Sequence, residues 1–250
     1  MAALVSATEP DSRGELPPRH DVWLASQMAS YRTPVIPTGH AALDEELPNG
    51  GWPCSVLIEL LLQDHGIGEM RLLRPALTAL GRQRRIALIQ PPYMPQVAAW
   101  TAWGLPADRL LRIQAERAAD ALWSAEQVLR NGSCGALLFW QTQVRAESLR
   151  RLHLAAQASE TVFWLLRPLV GAQDASPSPL RLALHPAIGG IDVRIVKRRG
   201  PHAEGTLRVD LLDMPFFHPF PPTSPVPRHA YLDRRAPAAA AARNDTASLV

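Results

Sequence analysis

The chain has 250 residues, of which 47% are hydrophobic, and its 26 basic and 23 acidic side chains give a net charge of +3. This length and composition predict one globular core, and the mild basic excess permits contact with nucleic acid or an acidic partner without requiring either. The sequence has no run of about 18 apolar residues, and its start, with Glu9 and Asp11, lacks the basic region of a signal peptide. Cys54 and Cys134 are isolated, which argues against a disulfide framework. We therefore expect a soluble, cytoplasmic protein with no membrane contact.

Composition divides the chain into four segments: a disordered N-terminal tail at 1–19, an N-terminal interaction helix at 20–33, a core domain at 34–220 and a disordered C-terminal tail at 221–250. Asp21 is the predicted cap of the short helix. Its apolar side chains Val22, Trp23 and Met28 are candidate contacts with a protein partner, because large aromatic side chains dominate many interfaces. The alternative is that Trp23 folds back onto the protein's own sheet.

A glycine loop follows the first apolar strand of the core and opens directly into a helix, the order that a phosphate-binding loop requires. Its residues are Gln63, Asp64, His65, Gly66, Ile67, Gly68, Glu69 and Met70. Aligning Gly68 with the second glycine of G-x-x-x-x-G-K-[ST] places Glu69 at the lysine and Met70 at the hydroxyl position. We expect the carboxylates of the loop to occupy the place of an anion at the helix N-terminus. The simpler interpretation is an ordinary turn between a strand and a helix.

Alternating patterns continue along the core. Apolar periodicity predicts helices at 71–80, 93–103, 118–129 and 147–158, and strands at 86–90, 110–113, 136–140 and 162–166. Three further strand-like runs follow at 180–184, 192–197 and 206–211. The predicted fold is therefore α/β, a mostly parallel β-sheet flanked by helices, with C-terminal antiparallel strands.

Four stretches carry a family resemblance: V-W-L-A-S-Q-M, P-T-G-H-A-A-L-D-E-E-L-P-N-G-G-W-P, I-G-E-M-R-L-L and W-L-L-R-P. With them the chain resembles RecA-like proteins from about Val22 to Phe220, and within that superfamily the ImuA group of SOS-induced accessory proteins. The resemblance implies a RecA-like core. It also locates the catalytic positions of the family: the water-activating acid falls near Pro92, the magnesium-associated aspartate on Trp140, and the coupling glutamine on or beside Arg167. None of these residues can take those roles, so the resemblance implies a pseudo-ATPase without a cofactor rather than an enzyme.

The same resemblance implies a function in translesion DNA synthesis and damage-induced mutagenesis. The implied partners are ImuB and an error-prone DNA polymerase III alpha-type subunit, with RecA as a further partner. Two alternatives stay open: a SulA-like SOS cell-division inhibitor that binds the division GTPase, and a DNA-dependent RecA-like ATPase. SulA-like chains are shorter and lack the long C-terminal hairpin and tail, so length favours ImuA.

Weak, non-specific DNA binding is a further expectation. The candidate contacts are Arg194, Lys197, Arg198 and Arg199, which lie on the predicted C-terminal hairpin. Lys197 is also the one lysine of the chain. The alternative is a solvated basic face, since no aromatic side chains are interleaved with these basic residues. The eight histidines are scattered without ligand spacing, so no metal site is expected.

Overall fold

The computed structural model describes residues 34–200 and 205–211. The predictions for the N-terminal helix with Val22, Trp23 and Met28, and for both tails, lie outside these residues. The helices of the described part are α1 (Ala41–Glu46), α2 (Glu69–Gly81), α3 (Val97–Ala102), α4 (Ala118–Asn131) and α5 (Ala146–Gln157). Its strands are β1 (Val35–Ile36), β2 (Trp52–Pro53), β3 (Leu57–Leu62), β4 (Arg85–Ile89), β5 (Leu110–Ile113), β6 (Cys134–Trp140), β7 (Val162–Pro168), β8 (Leu180–Ala187), β9 (Gly190–Lys197) and β10 (Leu207–Asp210). Short 3-10 turns occupy Pro48–Gly50, Ala107–Arg109 and Leu169–Gln173.

The main sheet has eight strands in the order β10-β9-β8-β3-β7-β6-β4-β5. The six neighbouring strands β8, β3, β7, β6, β4 and β5 are parallel to one another. β9 is antiparallel to β8, and β10 is antiparallel to β9. The prediction of an α/β fold with a mixed sheet flanked by helices is confirmed. One detail differs, because β8 pairs with β3 in the parallel direction. The loop after β7 returns the chain to the amino-terminal edge of the parallel strands. The antiparallel part of the sheet therefore begins at β9, one strand later than predicted.

The core lies on both faces of this sheet. β3 is buried along its whole length, and its side chains alternate between the two faces, with Ile58 on one and Leu57 on the other. Helices α1, α2 and α3 cover the first face, and α4 and α5 cover the second. On the first face Trp52 packs edge-on against Trp164, with ring centroids 5.7 Å apart. Burial of such side chains is the main favourable term of folding.

The helix predicted at 93–103 is shorter than expected. It begins at Val97, and Pro95 disfavours the helical backbone conformation for Met94, the residue before it. Tyr93 and Met94 therefore lie in an exposed loop between β4 and α3. In the part of the chain that the structure describes, no helix is long and apolar enough to span a membrane.

Candidate functional site

The glycine loop lies at the carboxyl end of β3, near the middle of the sheet. Open α/β sheets bind ligands at this edge, outside the carboxyl ends of their parallel strands. Gly66 and Gly68 have φ values of 86° and 119°, a left-handed conformation that glycine adopts without steric cost. A Cβ at Gly68 would also approach Leu211 Cδ1 to 3.0 Å. Both glycines are therefore needed to turn the chain from β3 into α2.

Glu69 is the first residue of α2, and its carboxylate fills the loop from inside the protein. The backbone N–H of Gly66 donates to Glu69 Oε1 at 2.8 Å, and the N–H of Gly68 donates to Oε2 at 3.2 Å. The side chain is almost fully buried, with 3% of its surface exposed. Backbone N–H groups at a helix N-terminus are the donors that hold a phosphate in a nucleotide-binding loop. In this chain the protein's own carboxylate accepts those hydrogen bonds.

The other loop residues do not join this contact. Gln63 and Asp64 are exposed, and Gln63 Oε1 lies 3.3 Å from His185 Nδ1. His65 is partly buried, and Met70 packs against the core on the first face of the sheet. Of the two carboxylates expected at the anion position, the structure places Glu69 there and leaves Asp64 in solvent.

A cleft of about 350 Å³ opens beside the glycine loop. Trp103, the turn between β8 and β9, and Leu211 form its walls together with the loop and the first turn of α2. Arg71 is the residue that brings a cationic group to this lining. Within the described ranges, no three His, Cys, Asp or Glu side chains come together as a metal site.

The three positions expected to have lost catalytic residues are dispersed. Pro92 is exposed in the loop after β4. Trp140 is the last residue of β6 and is buried in the core on the first face of the sheet. Arg167 lies near the end of β7 and is buried beneath the 3-10 turn Leu169–Gln173, where Gly171 packs against its guanidinium. Arg167 therefore faces the protein interior, and its role in the structure is an ion pair.

Sequence analysis missed the partner of Arg167. Glu59, in the middle of β3, is fully buried, and its Oε2 lies 3.3 Å from Arg167 Nη1 and 3.2 Å from Arg181 Nη2. The hydroxyl of Ser176 donates to the other carboxylate oxygen. Because buried ionised groups need partners, the single charge in the apolar run V-L-I-E-L-L-L is a signal that such partners exist. The spacing of the sequence does not reveal which residues they are.

This ion-pair network fixes the loop that follows β7. Arg181 donates to the carbonyl oxygens of Gly171 at 2.6 Å, Ala172 at 3.2 Å and Asp174 at 3.1 Å. Arg167 also pairs with the Asp174 carboxylate at 2.6 Å. The loop is thus held against β3, β7 and β8 by charge-assisted hydrogen bonds, which are stronger than neutral ones.

The four candidate DNA contacts differ in their partners within the protein. Arg198 Nη1 bonds to the Glu46 carboxylate at 3.0 Å, on the α1 side of the protein. A β-bulge in β9 aligns Lys197 with Arg181, and Lys197 Nζ donates to Ser176 O at 2.9 Å. Arg194 and Arg199 are exposed. Lys197 and Arg198 are thus held by different elements, and whether the four residues contact DNA stays a prediction.

Lys197 and Arg199 lie close enough to α5 to affect a histidine there. The pKa of His153 is lowered, first by burial and then by the charges of Arg199 and Lys197. The backbone N–H of Leu57 donates to His153 Nδ1 at 3.4 Å, so Nδ1 is the acceptor nitrogen of a neutral ring.

Exposed apolar side chains concentrate at the edge that carries the glycine loop. Five of the large exposed hydrophobic residues in the described part of the chain follow the carboxyl ends of parallel strands: Tyr93, Met94, Val97, Val170 and Ile188. Tyr93 is 68% exposed, and its ring lies beside Gly66, within 3.9 Å of where a Cβ would be. Exposed apolar side chains that cluster on a surface mark sites of interaction, of which protein interfaces are one kind.

The chain matches no protein-family model. It is 32% identical over 109 residues to the cell division inhibitor SulA of Edwardsiella piscicida, a match that spans 43% of this chain and 65% of that protein. It is 26% identical over 124 residues to SulA of Serratia proteamaculans, spanning 49% of this chain and 74% of the relative. SulA of Serratia marcescens matches at 25% over 124 residues, with 49% and 72% covered. Over about half of its length the chain is therefore similar to SulA proteins, and it spans less than two thirds of the first of them.

A solved structure bears the same name. The crystal structure of SulA from Pseudomonas aeruginosa is 27% identical, and the match covers 46% of this chain and 99% of that one, with a TM-score of 0.39. The three sequence relatives named SulA contradict the predicted function in translesion synthesis, and nothing in the comparisons confirms the ImuA assignment on which it rested. The alternative of a SulA-like cell-division inhibitor fits them. The predicted partners ImuB, the polymerase subunit and RecA came from the ImuA assignment, and no observation tests them.

Proposed function

We propose that the chain is a SulA-like inhibitor of cell division that acts by binding another protein. The observation that carries this proposal is the similarity to three proteins named as cell division inhibitors, up to 32% identical. The similarity spans 43% to 49% of this chain and 65% of the first relative. The activity of the whole protein is therefore part of the proposal.

Several features of the glycine loop support a mechanism without nucleotide hydrolysis. The Glu69 carboxylate takes the backbone donors that a phosphate needs, and it would repel a phosphate electrostatically. The chain's one lysine, Lys197, is on β9 and donates to Ser176 O rather than reaching the loop. We extend the proposal to a RecA-like core that has lost its ATPase activity, as the resemblance implies.

The proposed target is the bacterial division GTPase, and the proposed contact surface is the exposed apolar edge beside the glycine loop. Tyr93 and Met94 are exposed there, in the loop before α3. An aromatic and a methionine side chain suit a protein interface, since both are enriched at such surfaces. Induction in the SOS response is a further element of the proposal, by analogy with the alternative that the resemblance raised.

Expression of the chain in growing bacteria tests the function. We expect cells to elongate into filaments while DNA replication continues, and to divide again when expression stops. A double Tyr93→Ala, Met94→Ala variant, expressed to the same level, is the matched control and should filament less. Cells of normal length that contain the folded wild-type chain would contradict the proposal.

A further inference from the structure

Strand β5 forms one lateral edge of the main sheet. It is the last strand in the order, and in the part of the chain that the structure describes it pairs with β4 alone. The backbone N–H of Gln90, after β4, donates to the carbonyl oxygen of Ile113 at 3.0 Å, so Ile113 directs its backbone groups towards β4. Backbone groups of successive strand residues point in alternate directions, so Leu111 also faces β4. Leu110 and Arg112 therefore direct an N–H and a C=O each away from the sheet.

The end of this edge is held in position by the side chain of Gln90. Its Nε2 donates to the carbonyl oxygen of Ala115 at 2.7 Å, and its Oε1 accepts from the N–H of Ala115 at 3.2 Å. Gln90 has a φ of 54°, a left-handed conformation that is uncommon for residues other than glycine and persists where surrounding bonds fix it. The edge is therefore already formed in the single chain, so a partner strand would not have to order it.

The side chains of β5 differ between the two faces of the sheet. Leu110 packs against the core on the first face, and Ile113 packs against the core on the second. Because strand side chains alternate, Arg112 shares the first face with Leu110. Leu111, which is 37% exposed, shares the second face with Ile113. A strand added outside β5 would thus have one row of side chains beside a cation and the other beside an exposed leucine.

Positive charge is in excess around this edge. Arg85 is the first residue of β4, Arg109 directly precedes β5, and Asp108 is the acidic residue next to Arg109. The residues after Arg85 and Arg109 are paired across the two strands, so the Cα atoms of these arginines are about 5 Å apart. Among the ion pairs of the described residues, none includes Arg85, Arg109 or Arg112. Arg109 and Arg112 bond instead to neutral oxygen atoms, at 3.2 Å and 2.9 Å.

We propose that β5 is the docking edge for an extended acidic segment of another protein, which joins the sheet as an added strand. The backbone of the segment pairs with the outward groups of Leu110 and Arg112. Its acidic side chains lie beside Arg112 on the first face, and its apolar side chains cover Leu111 on the second. The segment that fits is therefore one in which acidic and apolar residues alternate. This edge is separate from the surface proposed for the division target, and the proposal does not depend on that target.

Charge favours this occupant over a second copy of the chain. A two-fold pair of β5 strands would gather Arg109 and Arg112 of both chains along one seam, and like charges at close range destabilise a strand pair. Nucleic acid would also neutralise the arginines. It would leave the outward N–H and C=O groups of the edge without strand partners, whereas an acidic peptide satisfies both the charges and the backbone.

Hydrogen exchange of the full chain, followed by NMR, tests the proposal with a synthetic probe. The probe is an N-acetylated peptide of about ten residues in which Glu and Val alternate. We expect it to bind weakly at low salt, with a dissociation constant on the order of 100 µM, because the edge is short. The amide protons of Leu110 and Arg112 should exchange at least about tenfold more slowly in its presence. Those of Leu111 and Ile113 should change less, since β4 already binds them.

Two variants of Arg112 separate the charge from the backbone. Arg112→Gln keeps the outward N–H and should weaken probe binding about threefold to fivefold, as loss of one exposed ion pair does. Arg112→Pro also removes that N–H, which β4 does not use, and should weaken binding about tenfold further. Arg150→Gln is the matched control, because Arg150 is an exposed arginine on α5, and it should leave binding unchanged. A melting temperature close to that of the wild type shows that each variant is folded.

Several results would overturn the proposal. One is the absence of slower exchange at Leu110 and Arg112 with about 1 mM probe. Another is equally tight binding of a peptide with Lys in place of Glu, or of one with the Glu and Val residues grouped in two blocks. Slow exchange of both amides in the chain alone would show that the edge is already covered, by a second copy if the effect grows with chain concentration. An oligonucleotide that binds more tightly than the probe and leaves these amides unprotected would assign the arginines to nucleic acid instead.

Discussion

Replacement of Glu59 by leucine should destabilise the protein more than any single replacement among its buried partners. Leucine removes the acceptor for two guanidinium groups, at 3.3 Å from Arg167 and 3.2 Å from Arg181, and for the hydroxyl of Ser176. Breaking a buried ion pair costs about 3 to 5 kcal/mol, because a buried charge is left uncompensated. Arg167 keeps Asp174 and Arg181 keeps backbone carbonyls, so we expect the lower end, about 3 kcal/mol.

Arg167→Met should cost less, about 1 to 3 kcal/mol, because Glu59 keeps Arg181 and Ser176 as partners. Replacing Glu59, Arg167 and Arg181 together by apolar residues should return stability close to the wild-type value, since no buried charge then lacks a partner. This order of effects follows from which groups each variant leaves buried and unpaired.

Urea denaturation followed by far-UV circular dichroism measures these changes. The matched control is Arg208→Met, which removes an exposed pair with Asp192 at 3.3 Å and should cost less than about 1 kcal/mol. Added salt should weaken the effect of the exposed pair and leave that of Glu59 nearly unchanged. A Glu59→Leu variant within about 1 kcal/mol of wild type, or less destabilised than Arg167→Met, would refute the reasoning.

Three further predictions concern the loop, a histidine and the exposed edge. The wild-type chain should not bind a fluorescent ATP analogue with magnesium at micromolar affinity, and micromolar binding would contradict this. Glu69→Lys should not produce hydrolysis, because the resemblance to RecA-like proteins implies that Pro92 and Trp140 stand at two other catalytic positions. Because burial and the charge of Arg199 lower the pKa of His153, the stability that this histidine contributes is present above pH 6.5 and is lost as pH falls below it. In the His153→Gln variant the melting temperature should fall less as the pH is lowered below 6.5 than it does in the wild type. Arg199→Ala should raise the pKa of His153 in an NMR titration, and an unmoved pKa would exclude the contribution of the Arg199 charge and leave burial as the cause. Tyr93→Ala with Met94→Ala should weaken target binding at least about tenfold at an unchanged melting temperature, and binding retained at wild-type strength would contradict the proposed contact surface.

Much of the fold could be predicted because apolar periodicity reports burial directly. The helix predicted at 71–80 is observed at Glu69–Gly81, and the strand predicted at 162–166 is observed at Val162–Pro168. The start of α2 was not predicted, because its first turn depends on Gly68 in a left-handed conformation and on the Glu69 side chain. Pro95 indicates that Met94 is not helical, but the prediction followed the apolar pattern of the residues after it and began the helix at 93.

The buried network could not be predicted, because its members are far apart in sequence. Glu59 is 108 residues from Arg167 and 122 from Arg181, and only the strand order brings them together. The basic residues near the end of β9 show the reverse relation between sequence and structure. Lys197 and Arg198 are adjacent in sequence, but they contact different elements.

The wrong choice of ImuA over SulA rested on chain length. The matches span 43% to 49% of this chain but 65% to 74% of the relatives, so a chain longer than those relatives still shares their sequence and its length does not argue against SulA. The motifs shared by RecA-like proteins describe the core and therefore carry no information about the partner.

The proposed inhibition is tested most directly with two purified proteins. The division GTPase is polymerised with GTP, and the sedimented polymer is measured at increasing concentrations of the chain, without added ATP. We predict that polymer falls in proportion to added chain and is abolished near equimolar amounts, while Tyr93→Ala with Met94→Ala requires at least about tenfold more. An unchanged amount of polymer in a clear molar excess of the folded wild-type chain would contradict the proposal that it inhibits division by binding this GTPase.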